Sequence, residues 1–183
     1  MLTDSQIHAI LVSVVINNPF SQNWEEKTKM ANVTVRKGDL FNFKENGEVV
    51  ALVNTGSGDV DSWTRLPGQF NKRFGVNRFI KSQRDHRDSE IYYQQNVVDA
   101  YTGMRRNVIT LIVKRHEGEC VDLDNLNRLL WKLRAFCEAN GIQKLVMPKL
   151  CCGVHGCDWN NVGPLLRGVF NGSGIKVFVR HID

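Results

Sequence analysis

The chain lacks most of the features that would place it outside the soluble globular class. Only 4 of its 183 residues are proline, and hydrophobic residues make up 42%, so it is neither a proline-rich linker nor a collagen-like or disordered chain. Its longest apolar run, Ile7 to Ile16, is interrupted by His8 and Ser13. A bilayer span needs about 20 apolar residues, so no membrane partner is expected. The chain opens Met1-Leu2-Thr3-Asp4 without the positive n-region of a secretory leader. Cysteines number five, an odd count that argues against a disulfide-built scaffold. A reducing, cytoplasmic setting is the expectation. No basic block reaches five residues, yet the net charge of +5 favours anionic partners such as phosphates, nucleotides or nucleic acid.

Hydrophobic periodicity divides the chain. Ile7, Ile10, Leu11, Val14 and Val15 share one helical face. Thr3 and Gln6 have capping-box spacing, and Asn17-Asn18-Pro19 stops the helix. Residues 1–30 are therefore read as a helical extension and 31–183 as the main domain. In the main domain, Val33–Val35, Val49–Val53, Ile91–Tyr101, Val108–Val113, Leu145–Met147 and Ile175–Val179 read as strands. Leu66, Phe70 and Phe74 mark a short helix ending at Gly75. Leu126 to Cys137 mark a long one, capped by Asp122 or Asp124 and ended by Gly141. Val162 to Val169 mark a last helix, expected to start near Asn160 or Asn161 so that Pro164 falls in its first turn. Residues 81–90 read as a charged loop. Strands alternating with helices predict a mixed, mainly parallel sheet covered on both faces, a three-layer α/β/α fold. Ligands bind such sheets beyond the C-terminal strand ends, which singles out the loops 54–65 and 150–160.

The second loop, Cys151-Cys152-Gly153-Val154-His155-Gly156, joins a buried strand to a helix and carries two glycines three residues apart. Glycine lets a ligand approach the backbone, and the helix that follows offers free N–H groups to an anion. Cys151, Cys152, His155 and Cys157 crowd into seven residues, whereas zinc sites pair two separated clusters. No metal and no cofactor are expected. A cysteine–histidine nucleophile has no third group to orient it.

Four pieces of the chain, in order, resemble the macrodomain family, the ADP-ribose-binding module. They are Lys37-Gly38-Asp39-Leu40, Ala51-Leu52-Val53-Asn54-Thr55, Pro148 to Asp158 with its Gly-Val-His-Gly-Cys-Asp run, and the final helix and strand. The resemblance spans about Val33 to Val179. It is strongest to the branch holding the terminal and DNA ADP-ribose glycohydrolases and the ADP-ribose 1''-phosphate phosphatase. It implies ligand-binding roles for Asp39 at adenine with Leu40 beside it, for Asn54 at the distal ribose, and for Cys151 to Gly156 (Cys152, Gly153, Val154 and His155 included) around the diphosphate. Three departures stand out. Arg180 stands where many members place an aromatic against adenine, and its guanidinium plane can still stack on a base. Where the family's first loop is glycine-rich, this chain reads Asp59-Val60-Asp61-Ser62-Trp63-Thr64-Arg65. Two carboxylates there are expected to repel a diphosphate, a repulsion that Arg65 could compensate. The glycohydrolase lysine has no counterpart between Asp99 and Gly103. The implied function is binding of ADP-ribose or an ADP-ribosyl derivative. Hydrolysis of an ADP-ribosyl linkage or of the 1''-phosphate is its enzymatic version, with His155, Asp59 and Asp61 as catalytic candidates. The alternative is a non-catalytic module of the same fold that binds nucleic acid, another nucleotide or a protein.

Overall fold

The computed structural model describes residues 32–43, 49–83, 89–153 and 156–182. The predicted N-terminal helix, the centre of the charged loop, Val154 and His155 lie outside the described residues.

Six strands form one sheet: β1 (Val33–Lys37), β2 (Val50–Ser57), β3 (Ile91–Val98), β4 (Arg105–Lys114), β5 (Lys144–Met147) and β6 (Lys176–His181). Their order is β1-β6-β5-β2-β4-β3. Every neighbouring pair is parallel except the β3–β4 pair, which is antiparallel. The helices are α1 (Arg65–Phe74), α2 (Val76–Ser82), α3 (Leu123–Ala139) and α4 (Trp159–Phe170).

Alternation along β2 builds the layers. Ala51 and Val53 face a core made with Leu126, Leu130 and Leu133 of α3 and Val162 and Leu166 of α4. Val50 and Leu52 face the opposite core, with Phe41 and with Phe70 and Phe74 of α1. Successive side chains of a strand point to opposite faces, so a strand apolar at every position must be covered twice. The three-layer α/β/α fold with a mixed, mainly parallel sheet is what the chain adopts.

Local signals act as their chemistry requires. Gly75 ends α1 in the left-handed region at φ 63°. The Asp122 carboxylate accepts from the Asp124 N–H and caps α3. Asp158 caps α4 through the Asn160 N–H, so that helix begins at Trp159 and Pro164 sits in its second turn. The expected start was one to two residues late. The ring is tolerated because Pro164 and Asn160, the residue whose carbonyl loses its partner, are both exposed. Helix α2 was not anticipated. No helix among the described residues is long and apolar enough to cross a membrane.

Candidate functional site

A cavity of about 430 Å³ opens at the C-terminal ends of the parallel strands. Strand order arranges its walls in a line. Asp39 and Leu40 follow β1, Arg180 and His181 end β6, Lys149 and Cys151 to Gly153 follow β5, and Asn54 and Thr55 belong to β2, with Arg65 and Leu66 of α1 also in the wall. β1 and β2 are three strand spacings apart, about 14 Å, so the cavity suits an elongated ligand.

Asp39 caps the 3-10 turn Leu40–Asn42 by accepting from the Phe41 N–H at 2.9 Å through Oδ1. Its other oxygen has no partner among the described residues. Leu40 is 5% exposed and closes the floor. Asn54 is 1% exposed, and its Nδ2 is buried with no hydrogen-bond partner. An amide donor left so inside a protein costs about 1–3 kcal/mol, and the residue that carries it lines the cavity. Arg180 lies 5.7 Å from the Phe43 ring centroid and reaches the Lys37 carbonyl only at 3.5 Å. It is available at the same end as Asp39.

The loop after β5 folds back on itself. Cys151 takes the left-handed conformation, φ 58°, and its carbonyl accepts from the Cys157 N–H at 2.9 Å. The Cys152 N–H is spent on Lys149 and the Gly156 N–H on Gly153. Two of the backbone N–H groups expected to face the diphosphate are therefore already engaged. Among the described N–H groups of 152, 153, 156 and 157, that of Gly153 alone remains open. Gly153 lines the cavity and a Cβ added there would meet nothing within 4 Å, whereas Gly156, at φ 72°, makes the turn outside the cavity wall. Burial pushes the Cys152 thiol up to about 11 and the Cys137 thiol up to about 12. Burial also raises Cys151. These thiols are protonated at neutral pH and serve as small apolar groups. No cluster of metal-ligating groups occurs among the described residues.

Asp59 and Asp61 do not line this cavity. Asp59 accepts from the Glu117 N–H at 3.0 Å and pairs with His116 Nδ1 at 3.2 Å. That backbone bond, then His116, hold its carboxyl below the usual range. Asp61 is held by Lys81 Nζ at 2.6 Å on the surface. Both are engaged elsewhere, and the repulsion they were expected to exert on a diphosphate falls away. The first-loop glycines serve packing. The Trp63 indole lies on Gly56, where a Cβ would fall 2.2 Å from the ring, and Trp63 Nε1 donates to the Ser57 carbonyl at 3.0 Å. Lys149 and Gln69 are lining residues that sequence reasoning gave no role. Lys149 stood within the quoted motif, and its charge was the available signal. Lys114, 8% exposed at the end of β4, donates to the Glu119 carbonyl and lines the neighbouring polar pocket with Asp59 and His116.

No protein-family model matches the chain. The ADP-ribose glycohydrolase OARD1 of human and of cattle is 24% identical over 155 residues, 84% of this chain and 94% of the relative. Among solved structures, the macrodomain of Mycobacterium tuberculosis DarG superposes with a TM-score of 0.68 at 18% identity, over 82% of this chain and 98% of that one. Thermosipho africanus DarTG in complex with ADP-ribose gives a TM-score of 0.68 at 18% identity, over 82% of this chain and 42% of that one. The chain has the macrodomain fold. Three of the four sequence pieces that resembled the family contribute residues to the cavity wall, and the fourth runs into it at Arg180.

Proposed function

We propose that the cavity binds ADP-ribose or an ADP-ribosyl derivative. Adenine lies at the Asp39 and Arg180 end, the diphosphate over Lys149 and the Gly153 turn, and the distal ribose against Asn54. The observation that carries this reading is the buried, unpartnered Asn54 Nδ2 in the cavity wall. A ribose hydroxyl would satisfy it once the Asn54 side chain turns to bring the buried nitrogen to the cavity surface. The likeness to an ADP-ribose glycohydrolase and to a structure solved with ADP-ribose supports the same ligand.

Calorimetry with ADP-ribose, AMP and a short oligonucleotide tests it. Asn54→Ala should weaken ADP-ribose about tenfold, the worth of one hydrogen bond to a buried donor. AMP, which lacks the distal ribose, should bind the variant and the wild type alike. Thermal stability should barely fall, because the variant also removes a donor that lacks a partner. Equal weakening of AMP and ADP-ribose would mean that Asn54 only supports the strand.

Hydrolysis is a second reading, favoured by the glycohydrolase relatives. Neither Asp59 nor Asp61 touches the cavity, so His155 is the remaining candidate of the three. Release of ADP-ribose from a modified substrate, lost in His155→Phe with binding kept, would establish it. Absence of turnover would leave a binding module. The alternative of a nucleic-acid, nucleotide or protein-binding module requires an oligonucleotide or protein to bind in preference to ADP-ribose. A cytoplasmic setting and the separate N-terminal extension, residues 1–30, remain part of the proposal.

A further inference from the structure

Cys151 and Cys157 stand at the two ends of the turn that carries Gly153, and their backbones touch. The Cys157 N–H donates to the Cys151 carbonyl at 2.9 Å. A backbone bond of that kind sets two Cα atoms about 5–6 Å apart, inside the range of about 4.4–6.8 Å that a disulfide spans. The side chains share one apolar cluster. Cys151 is a buried member of the core made with α3 and α4, and the half-buried Cys157 packs against that core. Burial, and after it the neighbouring Cys157 thiol, raises the Cys151 thiol.

The other three cysteines are disposed differently. Cys137 is enclosed within the core face of α3. Cys152 directly follows Cys151, and neighbouring Cα atoms, about 3.8 Å apart, are too close for an ordinary disulfide. Its Sγ donates to the Leu150 carbonyl at 3.1 Å. Cys120 is exposed, in a loop that is tied down ahead of it. Lys114 Nζ donates to the Glu119 carbonyl at 3.2 Å, and the Glu119 carboxylate accepts from the Arg115 and His116 N–H groups.

We propose that Cys151 and Cys157 are a redox modification site, a thiol pair that a peroxide joins into a reversible disulfide across the base of the Gly153 turn. The more open Cys157 reacts first. Its sulfur attacks one peroxide oxygen, the O–O bond breaks, and a water leaves as Cys157 becomes a sulfenic acid. The Cys151 sulfur then attacks the sulfur of Cys157. The S–S bond forms, the S–O bond breaks, and the hydroxide released takes the Cys151 proton and departs as a second water. Two thiols and one peroxide give one disulfide and two waters, and a dithiol reductant reverses the reaction. The ends of the turn already touch, so the bond forms without dragging the cavity wall, to which Cys151 and Gly153 belong.

The test uses the full chain, reduced, freed of reductant and treated with hydrogen peroxide. Free thiols are blocked with one label under denaturing conditions, the disulfide is reduced, and the thiols it releases take a second label. Of the five cysteines, Cys151 and Cys157 should carry the second label and Cys120, Cys137 and Cys152 the first. The bond closes a loop of 7 residues, and the oxidised protein should melt about 5 °C above the reduced one. Cys157→Ser should show neither the second label nor the rise, and Cys120→Ser should show both. A second label on Cys120 or Cys152 overturns the pairing. So does the first label on all five, or Cys157 carried on to sulfinic acid with Cys151 still free. A bond that forms as fast in the urea-unfolded chain would mean that the fold does not bring the two thiols together, and would overturn the proposal as well.

Discussion

A glycine can be present because the protein needs it or because a ligand does, and the two cases separate here. At Gly56 the protein needs it, since a Cβ would lie 2.2 Å from the Trp63 ring. At Gly153 nothing lies within 4 Å of such a Cβ, so the open space belongs to the cavity. Gly153→Glu should therefore melt within about 2 °C of the wild type, a shift below 1 kcal/mol for a domain of this size. Its carboxylate would stand where the diphosphate is placed, and ADP-ribose binding should be lost. Gly56→Ala should do the reverse to stability, costing about 1–3 kcal/mol through overpacking. A Gly153→Glu protein that is folded and binds ADP-ribose normally would show that the turn after β5 is no phosphate cradle. The sequence displayed both glycines alike. Which one lines the cavity depends on where Trp63 falls in space, and one-dimensional spacing does not carry that.

Between elements, the contact with most consequence for the cavity wall is made by Arg73 near the end of α1. Its guanidinium lies 4.2 Å from the Phe41 ring centroid and 4.7 Å from that of Tyr101, and it pairs with Asp99 at 3.0 Å. It thereby ties α1 to the turn after β1, which carries Asp39, and to the β3–β4 turn. Burial alone would raise the carboxyl of Asp99, but the Tyr101 N–H and Arg73 outweigh it and hold it below the usual range. A carboxyl depressed in the folded state contributes stability that is complete above its unfolded value, near 4. That stability is lost as pH falls through the folded value. Arg73→Ala strands a buried carboxylate and should cost about 3 kcal/mol, and Asp99→Asn should cost less. Urea midpoints followed from pH 7 down to pH 3 should fall more steeply for the wild type than for Asp99→Asn. Parallel curves would mean that Asp99 is not ionised through this clamp. Periodicity located α1, α3 and the apolar centres of the strands, because amphipathic faces are written in the spacing of Leu and Phe. It missed α2 and the extension of β2 to Ser57. Helix α2 shows Val76, Phe79 and Ile80 at i, i+3 and i+4 but is only seven residues long and starts directly after the Gly75 stop, and Asn54 to Ser57 are buried by tertiary position despite their polarity.

The whole molecule's fold class was legible because parallel strands must be apolar on both faces, which leaves a recognisable run such as Val50 to Val53 between helical patterns. Strand order was not legible. It is decided by crossovers rather than by composition, and it places Asp39, Lys149 and Asn54 along one line. That line also gives meaning to the net charge of +5. Arg180, Lys149 and Arg65 contribute three cations to the cavity against the carboxylate of Asp39. Two ligand classes fit such a line, and salt distinguishes them. A compact diphosphate has no condensed counterion sheath to release, so its affinity falls only by ordinary screening. Raising monovalent salt from 50 to 200 mM should weaken ADP-ribose by no more than a few-fold. A single-stranded oligonucleotide meeting the same three cations would release counterions with a slope near −2 in log Kobs against log salt, about a twentyfold loss over the same range. Titrations of both ligands at four salt concentrations should show ADP-ribose binding more tightly throughout and the oligonucleotide weakly. Tight oligonucleotide binding with the steep slope, undisturbed by saturating ADP-ribose, would identify the line of cations as a nucleic-acid track and not as the seat of one nucleotide.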